Sequence, residues 1–282
     1  MTKIIEEKSC CGGESYSTRH DVPVTIPIKK IIPEALNIST FVFEYNLEAK
    51  PGQFVNLWIP GVDEKPFSIA NCNEKEFWLT IAKVGPATEK LFELKVGDYV
   101  GIRGPYGTSF EAKPNSTIAL VGGGYGTAPL YYFGLKAKEQ GCNVYFLTGA
   151  RNIDLLTYID QAKKAGFEVS MTTNDGSAGK EGFVTVILEE LLKTKKIDSI
   201  HTCGPEVMEK AVLNLADKYD TRLQISVERY MKCGFGVCGQ CCVDDLGIPI
   251  CKQGPVMEKE LVKQIKEFGV YHRDRDGKKV FY

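Results

Sequence analysis

Four cysteines near the carboxyl end carry the clearest chemical pattern in the sequence. Cys233, Cys238 and Cys241 follow a C-x4-C-x2-C spacing, and Cys251 lies further along the chain. This spacing is typical of the thiolate ligands of a [2Fe–2S] cluster. The intervening glycines tolerate the left-handed backbone of a tight loop and let N–H groups face the sulfides. The pattern therefore predicts one [2Fe–2S] cluster held by these four cysteines.

Two alternatives bear on this cysteine segment. Cys242 competes with Cys241 as the third ligand, but it gives C-x3-C spacing and points the opposite way if a strand begins there. A structural zinc site or a redox disulfide would also use cysteines. Zinc sites usually carry two C-x2-C-like pairs, and only one is present here. The spacing therefore favours iron and sulfide over zinc, and Cys241 over Cys242.

The bulk composition is that of an ordinary globular protein. Of the 282 residues, 43% are hydrophobic and 25% are charged. A chain of this length is long enough for two domains and a small third lobe. A formal net charge of -1 argues against nucleic acid or an acidic membrane surface as a partner. The sequence shows no export signal and no long apolar run, so we expect a cytoplasmic protein whose cysteines bind metal or stay free.

The composition and periodicity of the sequence change along the chain. Residues 1–20 are polar, contain Cys10 and Cys11, and predict a flexible tail. Residues 21–114 hold short β-like runs between Gly/Pro turns, which predict an antiparallel barrel. Residues 115–222 alternate apolar strands with amphipathic helices, including one over 153–165, and predict a doubly wound parallel sheet. Residues 223–282 form the cysteine lobe.

A glycine-rich segment joins a predicted strand to a predicted helix in the second domain. Helix N–H groups face an anion at such a junction, so the segment predicts a dinucleotide pyrophosphate site. The candidate residues are Gly122, Gly123, Gly124, Gly126 and Thr127. Arg151 stands near the end of the next strand, where an acidic residue would hold the ribose of NAD. The choice between NAD and NADP therefore stays open.

Another strand of the predicted sheet ends at Cys203, Gly204 and Pro205. Ligands of open α/β sheets bind at the carboxyl edge of the strands, so this turn is a second candidate for the nucleotide site. A plain strand-to-helix turn with proline at the first helical position has the same appearance. Cys72 and Cys142 are interpreted as small buried hydrophobic residues.

Two segments of the barrel combine phosphate donors with an aromatic residue. One is Lys65-Pro66-Phe67-Ser68, and the other runs from Lys83 through Gly85 to Thr88 at the start of a predicted helix. Together they predict a flavin with its phosphates near a helix N-terminus. Candidate residues in the second segment and the strand before it are Ile81, Ala82, Lys83, Gly85, Ala87 and Thr88.

These motifs, in this order, resemble the ferredoxin–NADP reductase superfamily. The resemblance is carried by Lys65–Ser68, the Arg103–Gly107 turn, Val121–Gly126 and Cys203–Pro205. The segment from Glu228 to Cys241, followed by Cys251 to Val256, narrows it further. It resembles the electron-transfer subunit of the two-component, NAD-linked dihydroorotate dehydrogenases of pyrimidine biosynthesis.

The resemblance implies three cofactors and a partner. FAD is expected on the barrel, NAD on the second domain and the [2Fe–2S] cluster near the carboxyl end. An FMN-containing catalytic subunit is expected to oxidise dihydroorotate, in a heterotetramer, and to send electrons through the cluster and FAD to NAD. Lys65 replaces the arginine that usually faces the flavin phosphates, and Tyr125 replaces a small aliphatic residue. No catalytic acid or base for the substrate is expected in this chain.

Two other classes of protein share parts of this pattern. Related flavin and iron–sulfur subunits serve cytoplasmic hydrogenases, sulfite reductases and ferredoxin transhydrogenases. A zinc-stabilised binding module without enzymatic activity is the alternative from a different class. The presence of flavin would exclude that module.

Overall fold

The computed structural model describes residues 22–282. The predicted N-terminal tail, with Cys10 and Cys11, lies outside the described residues. Among the helices of the described part, none is both long and apolar enough to cross a membrane.

Six antiparallel strands close a barrel, as the sequence predicts. Alternating residues of the strands point inward, so that Ile26 and Ile28 are buried between exposed neighbours. A helix, α1 (Pro86–Glu93), places Leu91 in the same core. The strands are β1 (Val24–Ala35), β2 (Ile38–Phe43), β3 (Phe54–Ile59), β4 (Asp63–Cys72), β5 (Phe77–Ala82) and β6 (Tyr99–Tyr106), paired in the order β1-β2-β5-β4-β3-β6.

A seven-stranded sheet follows the barrel. Its order is β10-β9-β8-β7-β11-β12-β13, and every neighbouring pair is parallel except β12 with β13. The strands are β7 (Thr117–Gly123), β8 (Asn143–Ala150), β9 (Glu168–Thr173), β10 (Lys180–Glu181), β11 (Ser199–Cys203), β12 (Arg222–Ser226) and β13 (Val256–Glu258). The helices are α2 (Thr127–Glu139), α3 (Ile159–Lys164), α4 (Val184–Thr194) and α5 (Glu206–Lys218). The predicted combination of a barrel with a doubly wound sheet is confirmed.

The helix predicted over residues 153–165 is wrong in its first half. A single 3-10 turn covers Ile153–Leu155, Leu156 is extended, and α3 begins only at Ile159. Tyr158 interrupts the helix because its φ is +63°, in the left-handed region. Its hydroxyl forms a 2.6 Å hydrogen bond with Thr80 of the barrel. The tertiary contact therefore overrides the helical pattern.

The cysteine lobe is joined to the sheet. After β12 the chain forms the cysteine loop and the short helix α6 (Ile250–Gln253), and then returns as β13 to pair antiparallel with β12. Helix α7 (Lys259–Val262) and a hairpin of β14 (Tyr271–Arg273) and β15 (Lys279–Phe281) complete the chain. Since β13 belongs to the sheet, the lobe and the sheet share one hydrophobic core.

The cysteine loop also packs on the barrel, through strands β3 and β6. The side-chain amide of Asn56 donates to the carbonyl oxygen of Cys233 at 3.3 Å. Tyr106 lies between Phe54 and Phe235, with ring centroids 5.7 and 6.1 Å apart. The loop is therefore held against the end of the barrel that faces the sheet.

The segment beginning at Arg103, predicted as a turn, forms the end of β6. Arg103 binds both carboxylate oxygens of Glu64, through Nε and Nη2 at 2.6 Å each. Its guanidinium lies 5.8 Å from the ring centroid of Phe235 in the cysteine loop. The bidentate ion pair holds the Arg103 side chain in place, so that its guanidinium packs between the barrel and the lobe.

Candidate functional site

One cleft lies where the barrel, the sheet and the cysteine lobe meet. The space between these walls, including the part open to solvent, is about 980 Å³. The lining residues come from all three parts of the chain: Phe54, Pro66, Phe67, Ser68, Thr80, Ile81, Ala82, Val84, Thr88, Tyr125, Gly126, Pro129, Cys203, Gly204, Ser226, Val227, Glu228, Arg229, Met231 and Pro255.

The barrel wall of the cleft contains most of the residues predicted to hold a flavin. Pro66, Phe67 and Ser68 lie on β4, and Ile81 and Ala82 lie on the neighbouring β5. Adjacent strands thus offer an aromatic ring, a hydroxyl and backbone groups along one surface. This donor set fits the ring system of FAD.

Lys65 lies outside this lining. Its ammonium group contacts the Asp63 carboxylate at 2.7 Å and the Tyr230 hydroxyl at 3.2 Å. It also lies 4.9 Å from the centroid of the Tyr230 ring. The lysine thus joins the barrel to the linker that precedes the cysteine loop.

The N-terminus of α1 faces the same cleft. The Thr88 hydroxyl accepts the N–H groups of Val84 and Gly85, at 2.9 and 3.1 Å, and fixes the loop before the helix. Pro86 has no N–H group, and the N–H groups of Ala87 and Thr88 have no acceptor inside the helix, so these two can face an anion. A side-chain carbon at Gly85 would meet no atom within 4 Å. The loop therefore leaves room for a phosphate, as predicted for this segment, with Lys83 exposed beside it.

The glycine-rich loop serves two purposes. A side-chain carbon at Gly126 would lie 2.5 Å from the carbonyl oxygen of Cys203, and one at Gly123 would lie 2.7 Å from Pro205. Gly122 is similarly close to Thr127, at 2.9 Å. These three glycines are required by packing within the protein.

Gly124 is different from the other glycines of this loop. Its φ is +55°, and a side-chain carbon there would meet nothing within 4 Å. Gly124 is thus the position where the loop leaves space for the pyrophosphate of a ligand to approach, at the start of α2. The predicted pyrophosphate site fits this junction.

Polar side chains at the sheet edge complete the cleft. Burial and the nearby Glu209 carboxyl raise the pKa of the Cys203 thiol, so the thiol stays neutral. The charge of Glu228, and then burial, raise the pKa of the Tyr125 hydroxyl. Burial within the cleft also raises the pKa of Glu228 itself. Cys203 and Tyr125 therefore line this edge as neutral side chains.

The predicted cluster ligands lie together in the lobe but in unequal surroundings. Burial raises the pKa of Cys233, but N–H donation from Cys238, Phe235 and Val237 outweighs it and lowers the pKa to about 6. Burial and a contact with the Cys241 thiol raise the pKa of Cys251 to about 12. Cys238 is exposed, whereas Cys241 and Cys251 are buried. The loop therefore already provides backbone donors for thiolate sulfur.

The geometry bears on the choice between Cys241 and Cys242. The Cys241 sulfur accepts the backbone N–H of Cys251 at 3.4 Å, so these two cysteines are neighbours. Cys242 is half-buried and its backbone forms an isolated β-bridge with Pro249. Its thiol nevertheless lies close enough to Cys241, Cys238 and Cys233 for their charges to raise its pKa, after burial as the larger cause.

Among residues 22–282, no three His, Cys, Asp or Glu side chains converge on a single point as they would around one metal ion. A [2Fe–2S] cluster contains two irons, and four cysteine ligands are shared between them. Ligands of such a cluster need not converge on one point as the ligands of a single ion do. The donor set of four thiols fits the predicted cluster.

Several lining residues were not predicted from the sequence. Phe54, Thr80 and Pro129 lie on β3, β5 and α2, whose patterns are explained by packing alone, and Pro255 directly precedes β13. The stretch from Ser226 to Met231 links β12 to the cysteines. Its part from Glu228 onward belongs to the motif that carries the family resemblance, but it was not predicted to line a cofactor site.

Two family models match the chain. An oxidoreductase NAD-binding domain matches residues 120–214, and the iron–sulfur cluster binding domain of dihydroorotate dehydrogenase B matches residues 228–263. The first covers the glycine loop and the Cys203 turn, and the second covers all four predicted ligands.

Curated relatives match nearly the whole chain. A probable dihydroorotate dehydrogenase B (NAD(+)), electron transfer subunit, from Methanocaldococcus jannaschii is 46% identical over 92% of this chain and 99% of its own length. The protein of the same description from Methanothermobacter thermautotrophicus is 41% identical over 92% of this chain and 98% of its own length.

Solved structures share the fold. The NADH-dependent reduced ferredoxin-NADP oxidoreductase, studied for flavin-based electron bifurcation, matches with a TM-score of 0.77 and 30% identity, covering 86% of this chain and 93% of that chain. A cytochrome P450 reductase from Amycolatopsis matches with a TM-score of 0.64 and 24% identity, covering 70% of this chain and 66% of that chain, which shows the fold alone.

A barrel, a nucleotide-binding sheet and an iron–sulfur lobe around one cleft define a flavin- and NAD-linked electron-transfer oxidoreductase. Within that class, the chain belongs to the family of electron transfer subunits of NAD-linked dihydroorotate dehydrogenase B. The predictions of FAD, a [2Fe–2S] cluster and NAD as cofactors, and of an oxidoreductase subunit, are confirmed by these comparisons.

Proposed function

We propose that this chain receives electrons from an FMN-containing dihydroorotate dehydrogenase subunit and delivers them to NAD in pyrimidine biosynthesis. The observation that carries the proposal is the junction of three sites. The cysteine loop packs on the barrel through Asn56, and the barrel wall and the sheet edge face each other across one cleft. When bound, the cluster would supply one-electron transfer, and FAD would collect two electrons and a proton and pass them on as a hydride.

The roles of individual residues follow from their positions. Cys233, Cys238, Cys241 and Cys251 hold the cluster. Pro66 to Ser68, Ile81 and Ala82 bind the flavin ring, while Lys83, Gly85, Ala87 and Thr88 bind its phosphates. We assign Lys65 an indirect role, because its ammonium group is engaged by Asp63 and Tyr230.

The nucleotide side is assigned in the same way. Gly124, with the N–H groups that begin α2, holds the pyrophosphate of NAD. Gly122, Gly123, Gly126 and Thr127 set the shape of that loop. Cys203, Gly204 and Pro205 border the nicotinamide, where the neutral thiol of Cys203 adds no charge.

The catalytic partner is expected to dock on the cysteine loop. Cys238 is exposed, and the neighbouring Val237 side chain is 76% exposed. The exposed ligand brings the edge of the cluster to the surface of the lobe, where a second redox centre can approach it. A heterotetramer of two such pairs is the assembly we propose. The cytoplasmic location stays a prediction from the sequence.

A reconstitution experiment tests the proposal. The purified chain alone should transfer electrons from NADH to artificial acceptors and should not oxidise dihydroorotate. Mixed with the FMN subunit encoded by the same organism, it should reduce NAD at the expense of dihydroorotate, followed at the absorbance of NADH. Oxidation of dihydroorotate by the isolated chain, or an uncoupled mixture, would contradict the assignment.

A second candidate is an electron-transfer subunit for ferredoxin-dependent transhydrogenation. It is favoured by the 30% identity to the NADH-dependent reduced ferredoxin-NADP oxidoreductase, lower than the 46% to the first-named relative. Adding reduced ferredoxin in place of the FMN subunit separates the two. Reduction of NAD by this chain with reduced ferredoxin, in the absence of the FMN subunit, would support this candidate.

A further inference from the structure

Two acidic residues are buried behind the turn at the nicotinamide end of the cleft. Helix α5 begins directly after Pro205, and its first turns contain Glu206 and Glu209. These residues are only 5% and 1% exposed. A buried carboxyl group must be paired or hydrogen-bonded, so the partners of each one indicate what it does.

Glu206 pairs with a buried arginine. Its carboxylate forms an ion pair with Arg229, and both side chains are 4% exposed. It also accepts the N–H of Gly269 at 2.7 Å and the hydroxyl of Tyr282 at 3.0 Å. Glu206 is therefore satisfied by the linker to the cysteines and by the carboxyl end of the chain.

Glu209 has a different partner. Its Oε1 accepts the N–H of Gly204 at 3.1 Å, and Gly204 lines the cleft. The charged groups that face Glu209 are Glu206, Glu228 and Arg229. Burial, and next the charge of Glu206, raise the pKa of Glu209 well above its usual range.

The turn that Glu209 holds fits tightly against the glycine loop. A side-chain carbon at Gly204 would lie 3.0 Å from Cα of Gly123, and one at Gly126 would lie 2.5 Å from the carbonyl oxygen of Cys203. The two backbones are thus in direct contact. A shift of the turn displaces the glycine loop as well, and with it the space for the nucleotide.

We propose that Glu209 is a positioning residue for NAD: its carboxyl oxygen holds the Gly204 N–H and so sets the width of the nicotinamide end of the cleft. The inference rests on the proposed function, because it takes this end of the cleft as the NAD site. Glu209 itself does not line the cleft. It acts through the turn.

Two variants of similar volume separate the role of Glu209 as a hydrogen-bond acceptor from its role as an acid. Glu209→Gln keeps an oxygen that accepts the Gly204 N–H, whereas Glu209→Leu removes it. The first measurement uses isothermal titration calorimetry to determine how tightly NAD+ binds to the oxidised full-length holoprotein. We expect Kd within about twofold of wild type for Glu209→Gln and about tenfold higher for Glu209→Leu, which corresponds to ~1.4 kcal/mol.

Steady-state oxidation of NADH with ferricyanide is the second measurement. KM for NADH should rise in Glu209→Leu more than kcat falls, because the turn holds the nucleotide. The dependence of kcat/KM on pH between 6 and 8 should be the same in Glu209→Gln and wild type. This comparison tests whether a titrating proton at Glu209 is used, and it does so even if Glu209→Leu does not fold, which flavin content and circular dichroism will show.

Three results would overturn the inference. One is an unchanged Kd in a folded Glu209→Leu variant. Another is a loss of affinity in Glu209→Gln equal to that in Glu209→Leu, and the third is a shifted pH profile in Glu209→Gln. The last two would mean that the proton of Glu209, and not its acceptor oxygen, is used. Failure of the wild-type chain to bind NAD+ would instead refute the proposed function.

Discussion

The four proposed cluster ligands differ in how the protein treats each sulfur. Cys233 receives N–H donors from its own loop, at 3.4 Å from Val237 and 3.5 Å from Cys238. These donors favour its thiolate form before any metal binds. Cys241 and Cys251 are instead buried next to each other. We expect the cluster to span these two environments, with its exposed edge at Cys238.

The ligand assignment can be tested at Cys241 and its neighbour. Cys241→Ala should lose the cluster, because the sulfur that neighbours Cys251 is removed. Cys242→Ala, the matched control, should retain iron, sulfide and the paramagnetic signal of the reduced protein. Loss of that signal in Cys242→Ala, with its retention in Cys241→Ala, would show that Cys242 is the ligand.

At the scale of elements, strand β11 carries a buried polar chain through the middle of the sheet. His201 is 0% exposed, and its ring lies 2.9 Å from the Ser199 hydroxyl and 3.1 Å from Gln224. It packs against the rings of Phe110 and Phe133. Burial, with the charge of Arg222 as a second cause, lowers the pKa of His201 to about 3. The histidine is therefore neutral in the folded protein and part of its core.

This burial predicts a pH dependence of stability. The unfolded chain binds a proton at His201 below its ordinary pKa of about 6.5, and the folded chain does not until about 3. The contribution is complete above pH 6.5 and is lost as the pH falls toward 3, by up to ~1.4 kcal/mol per pH unit. In His201→Gln, the thermal midpoint should fall less than in wild type between pH 7.5 and 5.5.

The comparison of the two slopes removes effects common to both proteins, such as acid damage to the cluster. His201→Gln is expected to be less stable than wild type at neutral pH, because its side chain cannot reproduce both ring contacts. Parallel pH profiles for the two proteins would show that His201 does not titrate between the folded and unfolded states.

At the scale of the whole molecule, the cysteine lobe contacts both other parts of the chain. Strand β13 extends the sheet, and Asn56, Tyr106 and Arg103 hold the loop on the barrel. The carboxyl-terminal hairpin is fastened to the lobe by Arg273, which binds both carboxylate oxygens of Asp244 at 2.9 and 2.8 Å. The lobe thus presents one face to the cleft and leaves the Val237 side exposed.

That exposed side predicts where the partner binds. Val237→Asp places a charge on the proposed interface, so coupling of dihydroorotate oxidation to NAD reduction should fall at least about tenfold. Oxidation of NADH with artificial acceptors, and the iron content, should stay at wild-type levels. Val96→Asp is the matched control, because Val96 is 60% exposed but precedes the end of β6 that lies away from the lobe.

Coupling that survives in Val237→Asp, measured at subunit concentrations near Kd, would show that the partner binds elsewhere. A loss in Val96→Asp of the same size would show that surface charge in general weakens the complex.

The sequence by itself determined the chemistry of the lobe and the order of the parts. Cysteine spacing is a local property, because a tight loop can bring nearby thiols onto one cluster whatever surrounds it. Barrel strands and alternating strands and helices are also local patterns of period and turn residues. The fold class, the cluster, a flavin and a dinucleotide could therefore be predicted from the order of residues, whereas FAD and NAD in particular came from the family resemblance.

Only the tertiary structure decided how the parts meet. Periodicity did not reveal that Tyr158 would leave the helical region to bind Thr80 of the barrel, or that β13 would return to the sheet. It did not separate Gly124, which faces open space, from Gly126, which packs on Cys203. Such contacts join residues far apart in the chain, and their free energy depends on burial and partners that local sequence does not specify. The cleft between barrel, sheet and lobe is the sum of those contacts.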